Sequence, residues 1–512
     1  MTFSEFISLL PWFFPMAAAL VVLVHGSRRS AGPAPVPTGV SALGLLLGFV
    51  TATRAFAGAS GEILVGGAMV IDRFGLFITA LASLSGLGTV LLAPSWLKLR
   101  AKNHAEFYVL VLFAVVGMGL MGSTTNLLTL LLALEILSLS LYVLAGFRRE
   151  DRRSVESALK YYLTGSFATG ILLFGMALTY GVTRGLDLQG LSLALQDAES
   201  RPFAMMAVGF LLAGFGFKVA AAPFHMWLPD VYEGAPTPVT GFMATGVKVA
   251  AFAAIIRLFG AVFVHEPEGL RDVLWWIAFA TMAAGNVAAL AQKNVKRMLA
   301  YSSIAHAGYL LVAIVVMRGR ADDSGLVSFA SSDAVRGILF YLMAYLVANV
   351  GAFGVLSRIE RGDGSGLAFA DLAGMKSAHP GLAAAMAIFM LSLAGIPGTA
   401  GFVGKFLIFG SAVDAGHSVG DESFTLLAIL GILNSLVGLY YYLRVLIQMY
   451  VQPASEGQEM RLSTPVGMAG GLVIVACAAA TLWWGFGPDW LDIGFGIEPA
   501  LAMVEGAVSS LK

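Results

Sequence analysis

Hydrophobic positions in this chain come in long runs rather than in alternation. A helix needs about twenty apolar residues to cross a bilayer, and runs of that length recur fourteen times. They lie near 6–25, 38–57, 70–93, 105–122, 125–147, 155–181, 201–223, 238–264, 271–292, 297–317, 334–358, 380–411, 423–450 and 465–486. The pattern predicts an all-α polytopic membrane protein of about 14 transmembrane helices. The longest connections, near 183–200, 318–333 and 359–379, are too short for a soluble domain. The N-terminal stretch has no basic n-region and stays apolar for about twenty residues, which predicts a retained first span rather than a cleaved signal.

Two runs are interrupted. The seventh carries Lys218 and then Pro223, which removes an amide donor and clashes with the carbonyl four residues back. The twelfth reads LSLAGIPGTAGFVGKFLIFG, with Pro397 and Gly395, Gly398, Gly401 and Gly404 leading to Lys405. Interrupted helices at matching places in two halves point to an inverted-repeat transporter core. The breaks are five spans apart, so the predicted repeats are helices 4–8 and 9–13, containing broken helices 7 and 12. The chain then divides into 1–104 (helices 1–3), 105–264 (first repeat), 265–451 (second repeat) and 452–512 (helix 14 and tail).

Composition narrows the chemistry. Of 512 residues 58% are hydrophobic and 12% charged, about half the charge of a soluble domain. The net charge of zero argues against nucleic acid as a partner. A single cysteine, Cys477, excludes a cysteine-ligated iron–sulfur cluster, a four-cysteine zinc site and an intrachain disulfide. No Walker loop, dinucleotide fingerprint, metal-ligand cluster or nucleophile triad is present. Basic residues gather in alternate loops: Arg28/Arg29, Lys98/Arg100/Lys102, Arg148/Arg149/Arg152/Arg153, Lys293/Lys296/Arg297 and Arg358/Arg361/Lys376. The other loops are richer in acids: Glu62, Asp187, Asp197, Glu266, Glu268, Asp322, Asp323, Asp421 and Glu422. The first set is therefore expected in the cytoplasm, with both termini outside.

Charges inside the runs are the candidate functional groups. Glu135 and Lys248 fall near the middle of their spans, where insertion costs roughly 2.5–3.5 kcal/mol each. Snorkelling works only near helix ends, so that route is closed to them. Lys218 and Lys405 sit beside the breaks. Lys160 lies about a turn and a half inside helix 6, where snorkelling competes with a functional role. His225 follows Lys218 by seven residues, and His306 lies among Tyr301, Ser302 and Ser303. His306 suits either a hydrogen-bonded core or a proton relay, because histidine titrates near neutral pH. A Glu135–Lys218 pair would titrate as a unit, and Lys218, Lys248, His306 and Lys405 would extend it across the bilayer's middle. Arg257 and Arg444 read as interface anchors, and Trp275/Trp276 and Trp483/Trp484 as aromatic-belt residues.

Six segments carry a family resemblance: LALEILSLSLYVLAGFRR, ESALKYYLTGSFATGILLFGMALTYG, FKVAAAPFHMWLPDVYEGAPTPVTGFMATGVKVAAF, KNVKRMLAYSSIAHAGYL, LSLAGIPGTAGFVGKFLIF and LNSLVGLYYYLRVLIQMY. In order, over about residues 70–450, they resemble the subunit N family of bacterial proton-translocating NADH:quinone oxidoreductase, respiratory complex I. The resemblance implies a multi-pass, antiporter-like membrane-arm subunit of the bacterial inner membrane. It implies that proton translocation involves Glu135, Lys160, Lys218, Lys248 and Lys405, with His225, Tyr301 and His306 as relays. It further implies a translocase subunit with no cofactor of its own. FMN, iron–sulfur clusters and quinone would belong to partner subunits, and subunits K and M would be its neighbours. Two rivals remain: a multi-subunit sodium/proton antiporter subunit without redox partners, and a membrane redox protein with His225 and His306 as haem ligands.

Overall fold

The computed structural model describes residues 3–27, 35–59, 61–98, 105–263, 269–317, 319–321, 327–329, 332–361, 363–453, 462–465, 467–486 and 497–511. Arg28, Arg29, Arg100, Lys102, Glu266, Glu268, Asp322 and Asp323, which contribute to the orientation reading, lie outside them. Among the described residues, 13 helices are long and apolar enough to cross a membrane. The chain is a multi-pass membrane protein. Thr237–Val262, Val295–Val316 and Asp333–Ile359 are buried along nearly their whole length and form the centre. Outer helices such as Leu127–Ala145, Arg152–Thr183 and Glu422–Tyr450 keep apolar side chains such as Leu132, Phe167 and Leu436 exposed. A helix apolar on all sides belongs in such a setting.

Both interrupted runs are broken, with different boundaries from those expected. The seventh stops as helix at Val219 rather than 223. Ala220 takes a left-handed φ of 57°, and the Ala221 amide turns back to the Gly216 carbonyl at 2.8 Å. The Ala222–Pro223 bond is cis. The Ala222 amide donates to Thr281 Oγ1 at 2.9 Å, so a neighbouring helix satisfies part of the break. The twelfth run divides into Pro380–Ala394 and Ala400–Val419. Gly395 and Gly398 hold φ of 85° and 86°, which side-chain-bearing residues rarely adopt. Gly401 and Gly404, expected in the break, lie inside the second helix and serve close packing. A Cβ on Gly401 would meet the Ser392 carbonyl oxygen at 1.9 Å.

Other expectations need correction. Two small antiparallel hairpins, Glu62–Leu64 with Met69–Ile71 and Gly319–Ala321 with Val327–Phe329, interrupt the helical pattern in connections. A further helix, Ile497–Ser509, is too short and amphipathic to register as a span. It docks through Val504, Ala507 and Val508, with Arg336 paired to Glu505 at 2.8 Å. Ser510 Oγ accepts from the Phe74 amide at 2.9 Å, at the start of the Arg73–Lys98 helix.

Arg257 is no interface anchor. It is buried, and its Nη2 donates to both Asp72 oxygens at 2.8 Å while Nε donates to the Gly122 carbonyl at 2.8 Å. Asp72 also accepts from the Gly75 amide at 2.7 Å. Arg148 and Arg358, read as loop charges, are buried as well. Arg148 meets Glu360 at 3.4 Å, and Trp96 Nε1 donates to that carboxylate at 2.6 Å.

Removing one partner of a buried pair leaves the other uncompensated, a loss of about 3–5 kcal/mol. Asp72→Ala should therefore lower the thermal midpoint of the purified protein sharply. The double change Asp72→Leu with Arg257→Met should recover most of it. Equal losses in the single and double variants would remove the clamp role.

Candidate functional site

Lys218, Lys248 and Lys405 are 5%, 2% and 6% exposed, so none reaches solvent by snorkelling. Each ammonium is met inside the protein. Lys218 sits one residue before the end of its helix and donates to Ser138 Oγ at 2.8 Å. The rings of Tyr142, Tyr161 and Phe217 surround it at 5.9, 6.0 and 5.9 Å, a cation–π setting. Trp227 stacks on Tyr161 and Phe217 at 4.7 and 5.0 Å, so the break after Val219 supplies the wall of this box. Glu135 lies one turn before Ser138 on the Leu127–Ala145 helix. It is half-buried, accepts from Thr169 Oγ1 at 2.8 Å and acts on Lys218 through space. No direct Glu135–Lys218 ion pair forms: Lys218 meets Ser138, whose own hydroxyl donates to the Leu134 carbonyl at 2.5 Å, and Glu135 is held by Thr169.

A cavity of about 10 Å³, the scale of one water molecule, is lined by both Lys218 and Lys248, with Tyr161 and Tyr232. Lys248 follows a stretch of π geometry over Met243–Val247. Such a local widening redirects a side chain within a continuous helix. Its ammonium donates to the Ser303 carbonyl and lies 5.3 Å from the Tyr345 ring.

From Tyr345 a polar aromatic line runs on. The His306 ring is 5.0 Å from Tyr345. His306 Nδ1 shares a hydrogen bond with the Tyr341 hydroxyl, and Nε2 shares one with the Tyr442 hydroxyl at 2.8 Å. Tyr442 in turn shares one with Ser302 Oγ at 2.5 Å. Tyr441, with its ring 4.5 Å from Tyr442, donates to Asn286 Oδ1 at 2.9 Å, and Asn286 Nδ2 donates to the Tyr309 hydroxyl at 2.9 Å. Lys405 lies 5.2 Å from the Tyr309 ring. It donates to the Leu393 and Ala394 carbonyls at 2.9 Å each and to Ser435 Oγ at 2.7 Å. Those carbonyls end the Pro380–Ala394 helix, where a cation is favoured. Both His306 nitrogens are engaged by hydroxyls, so the haem reading loses one of its two ligands.

Three candidates stand apart from this line. Lys160 is 43% exposed and pairs with Glu156 at 2.7 Å and Asp230 at 2.8 Å. Asp230 also meets Arg297 at 2.7 Å, and Arg297 meets Glu233 at 2.8 Å. Tyr301 packs against Arg297 at 5.9 Å. His225 is half-buried in the break, with Nδ1 unpartnered among the described residues. Sequence reasoning missed Ser138, Tyr341, Tyr345, Tyr442, Asn286 and Asp72. Only the i, i+3 spacing of Glu135 and Ser138 and the tyrosine run at 440–442 hinted at them.

The bundle and its buried lysines beside helix breaks define an antiporter-like membrane protein. The chain belongs to the family described as NADH:quinone oxidoreductase/Mrp antiporter, TM, which matches residues 124–431. It is 44% identical over 429 residues to NADH-quinone oxidoreductase subunit N of Trichlorobacter lovleyi, covering 83% of this chain and 82% of that one. The subunit N of Myxococcus xanthus is 40% identical, over 96% of this chain and 98% of its own. Among solved structures, a chain of respiratory complex I from Thermus thermophilus with bound aureothin matches with TM-score 0.76 and 35% identity, covering 96% of this chain and 99% of that chain. A chain of the Mrp complex from Dietzia matches with TM-score 0.81 at 20% identity, over 100% and 98% of the two chains, and shows the shared fold.

Burial opposes the charge on Asp230, yet hydrogen bonds from Lys160 and Arg297 hold its carboxyl below the usual range. A depressed carboxyl stabilises above its unfolded value of about 3.9, and that gain disappears as pH falls through the folded value. Asp230→Asn should therefore lower the stability at neutral pH by under about 1 kcal/mol, because the groups are partly exposed, and the thermal midpoint by a correspondingly small amount. The gap should close on acidification. A gap unchanged by pH in paired melting curves would contradict this role.

Proposed function

We propose that this chain is the N-type membrane subunit of a proton-translocating NADH:quinone oxidoreductase. It moves protons from the cytoplasm to the outside of the bacterial inner membrane, driven by quinone reduction in other subunits. It is a translocase subunit with no redox centre; FMN, iron–sulfur clusters and quinone belong to its partners, with subunits K and M as neighbours. The observation that carries this reading is the set of buried lysines Lys218, Lys248 and Lys405, joined by a small cavity, His306 and the tyrosines, with Glu135 on the helix that meets Lys218.

Each member of that line can hold or pass a proton. Glu135 and Ser138 load Lys218, the small cavity between Lys218 and Lys248 has the size for a bridging water, and His306 with its hydroxyl partners joins Lys248 to Lys405. Lys160, Tyr301 and His225 lie nearer the rim and act at entry. The two breaks support a pair of inverted five-helix repeats, 105–264 and 265–451, between an N-terminal part (1–104) and a C-terminal part (452–512). The bias of basic residues to one set of loops supports both termini outside. The rival antiporter without redox partners is less supported: curated relatives named subunit N reach 44% identity, against 20% for the Mrp chain.

Copurification in mild detergent with flavin- and iron–sulfur-containing subunits tests the assignment, and isolation without them would refute it. Lys248→Met and Lys405→Met should assemble normally yet lower the proton uptake per NADH oxidised in membrane vesicles. Lys248→Arg should not rescue, because arginine cannot release its proton. An unchanged rate and ratio in both methionine variants would remove the lysines from the path.

Ser138→Ala removes the direct acceptor of Lys218, a loss of about 1–3 kcal/mol at a buried charged group. It should slow pumping by roughly tenfold, while Ser138→Thr should retain most activity. Full activity in Ser138→Ala would show that Glu135 serves Lys218 without the serine.

A further inference from the structure

Between the helices Pro380–Ala394 and Met468–Phe486 lies an open groove of about 580 Å³. Leu382, Ala385 and Ile388 line one wall, and Ile474, Ala478 and Leu482 the other. The second wall is a single helix face, its members recurring at three- and four-residue spacing. Both helices start at the same end of the bundle. There the Gly374 amide donates to the Gln452 carbonyl at 3.2 Å and the Ser463 amide to the Arg358 carbonyl at 2.9 Å.

The length of the groove is informative. At 1.5 Å per residue it runs about 12 Å along the first helix, from Pro380 to Ile388, and about 17 Å along the second, from Gly471 to Leu482. Half a hydrocarbon core is about 15 Å, so the groove is one leaflet deep. Its lining is apolar except at the mouth, where His379 borders it and no acidic side chain contributes. One turn before the helix, Lys376 is exposed, with its ammonium 5.9 Å from the Tyr450 ring centre. One ammonium, that of Lys376, thus stands near the mouth, and the trough is hydrocarbon-like. Small residues on both walls leave room for a slender chain rather than a helix.

We propose that this groove binds one acyl chain of an anionic glycerophospholipid, with its phosphate at Lys376 and His379. Basic pockets between membrane helices at the cytoplasmic surface recognise such headgroups. The site is independent of the proton path, although its inner end lies beside the break that positions Lys405. Leu482 is one turn before Gly485, where a Cβ would meet Thr399 at 2.3 Å. The bound chain fills the seam above that contact.

The test uses the whole complex, purified in mild detergent and equilibrated with vesicles of phosphatidylglycerol or phosphatidylcholine. Retained phospholipid is counted by mass spectrometry after repurification. The wild type should keep one more phosphatidylglycerol per complex than a variant with Ala384→Phe and Ala479→Phe, which fills the trough. Lys376→Glu, at an exposed position, should lower phosphatidylglycerol retention about fivefold and leave phosphatidylcholine unchanged. Equal retention across these variants, or equal retention of the two lipids by the wild type, would overturn the proposal. So would a photo-crosslinking residue at position 384 that captures a neighbouring subunit instead of lipid.

Discussion

An ammonium group in hydrocarbon must find its partners inside the protein, and three such groups shape this fold. Lys218 has a hydroxyl and three rings, Lys248 a carbonyl and a ring, and Lys405 two carbonyls released by a helix end. None has a carboxylate at contact distance among the described residues. The irregular backbone follows from that need. The break after Val219 brings Trp227 against the Lys218 box, the π stretch precedes Lys248, and the break at 395–399 frees the carbonyls that hold Lys405. Irregular backbone at membrane depth survives only where protein or a cavity surrounds it, and all three places meet that condition.

Arginine and lysine divide the labour. Arginine keeps its proton and presents a planar fork. Here it forms permanent clamps: Arg257 on Asp72, and Arg148 on Glu360, which Trp96 also holds. Those clamps tie the N-terminal helices to both of the later parts of the chain. Lysine, which can lose its proton, occupies the interior. A bundle built this way can keep its helices in register while charge changes at its centre.

Most of the architecture was legible in the sequence because membrane helices announce themselves by length and apolarity. Both breaks were legible from proline and glycine, although not their boundaries, since Ala220 and Thr399 end or start helices without a distinctive side chain. Glu135, Lys218, Lys248 and Lys405 stand out in the sequence because charge in an apolar run is conspicuous. What joins them does not. Ser138, Tyr345, Asn286 and Tyr442 are ordinary in a membrane helix, and only three-dimensional packing brings them to the lysines. Arg257 was misread for a related reason. Its partner, Asp72, is 185 residues away, at the start of the third apolar run, and nothing in the sequence links the two. The terminal helix Ile497–Ser509 escaped because it is amphipathic and short.

The His306 segment has a consequence for direction. A neutral imidazole donates from one nitrogen and accepts at the other, and a tyrosine hydroxyl does both. With Tyr341 on one nitrogen and Tyr442 on the other, the row can be wired in either sense at equal geometric cost. Such a conductor has no built-in arrow. On the proposed path, whatever would make flow one-way has to act at its terminals, Glu135 and the helix-held Lys405, and reversing the bias there would run the same row backwards.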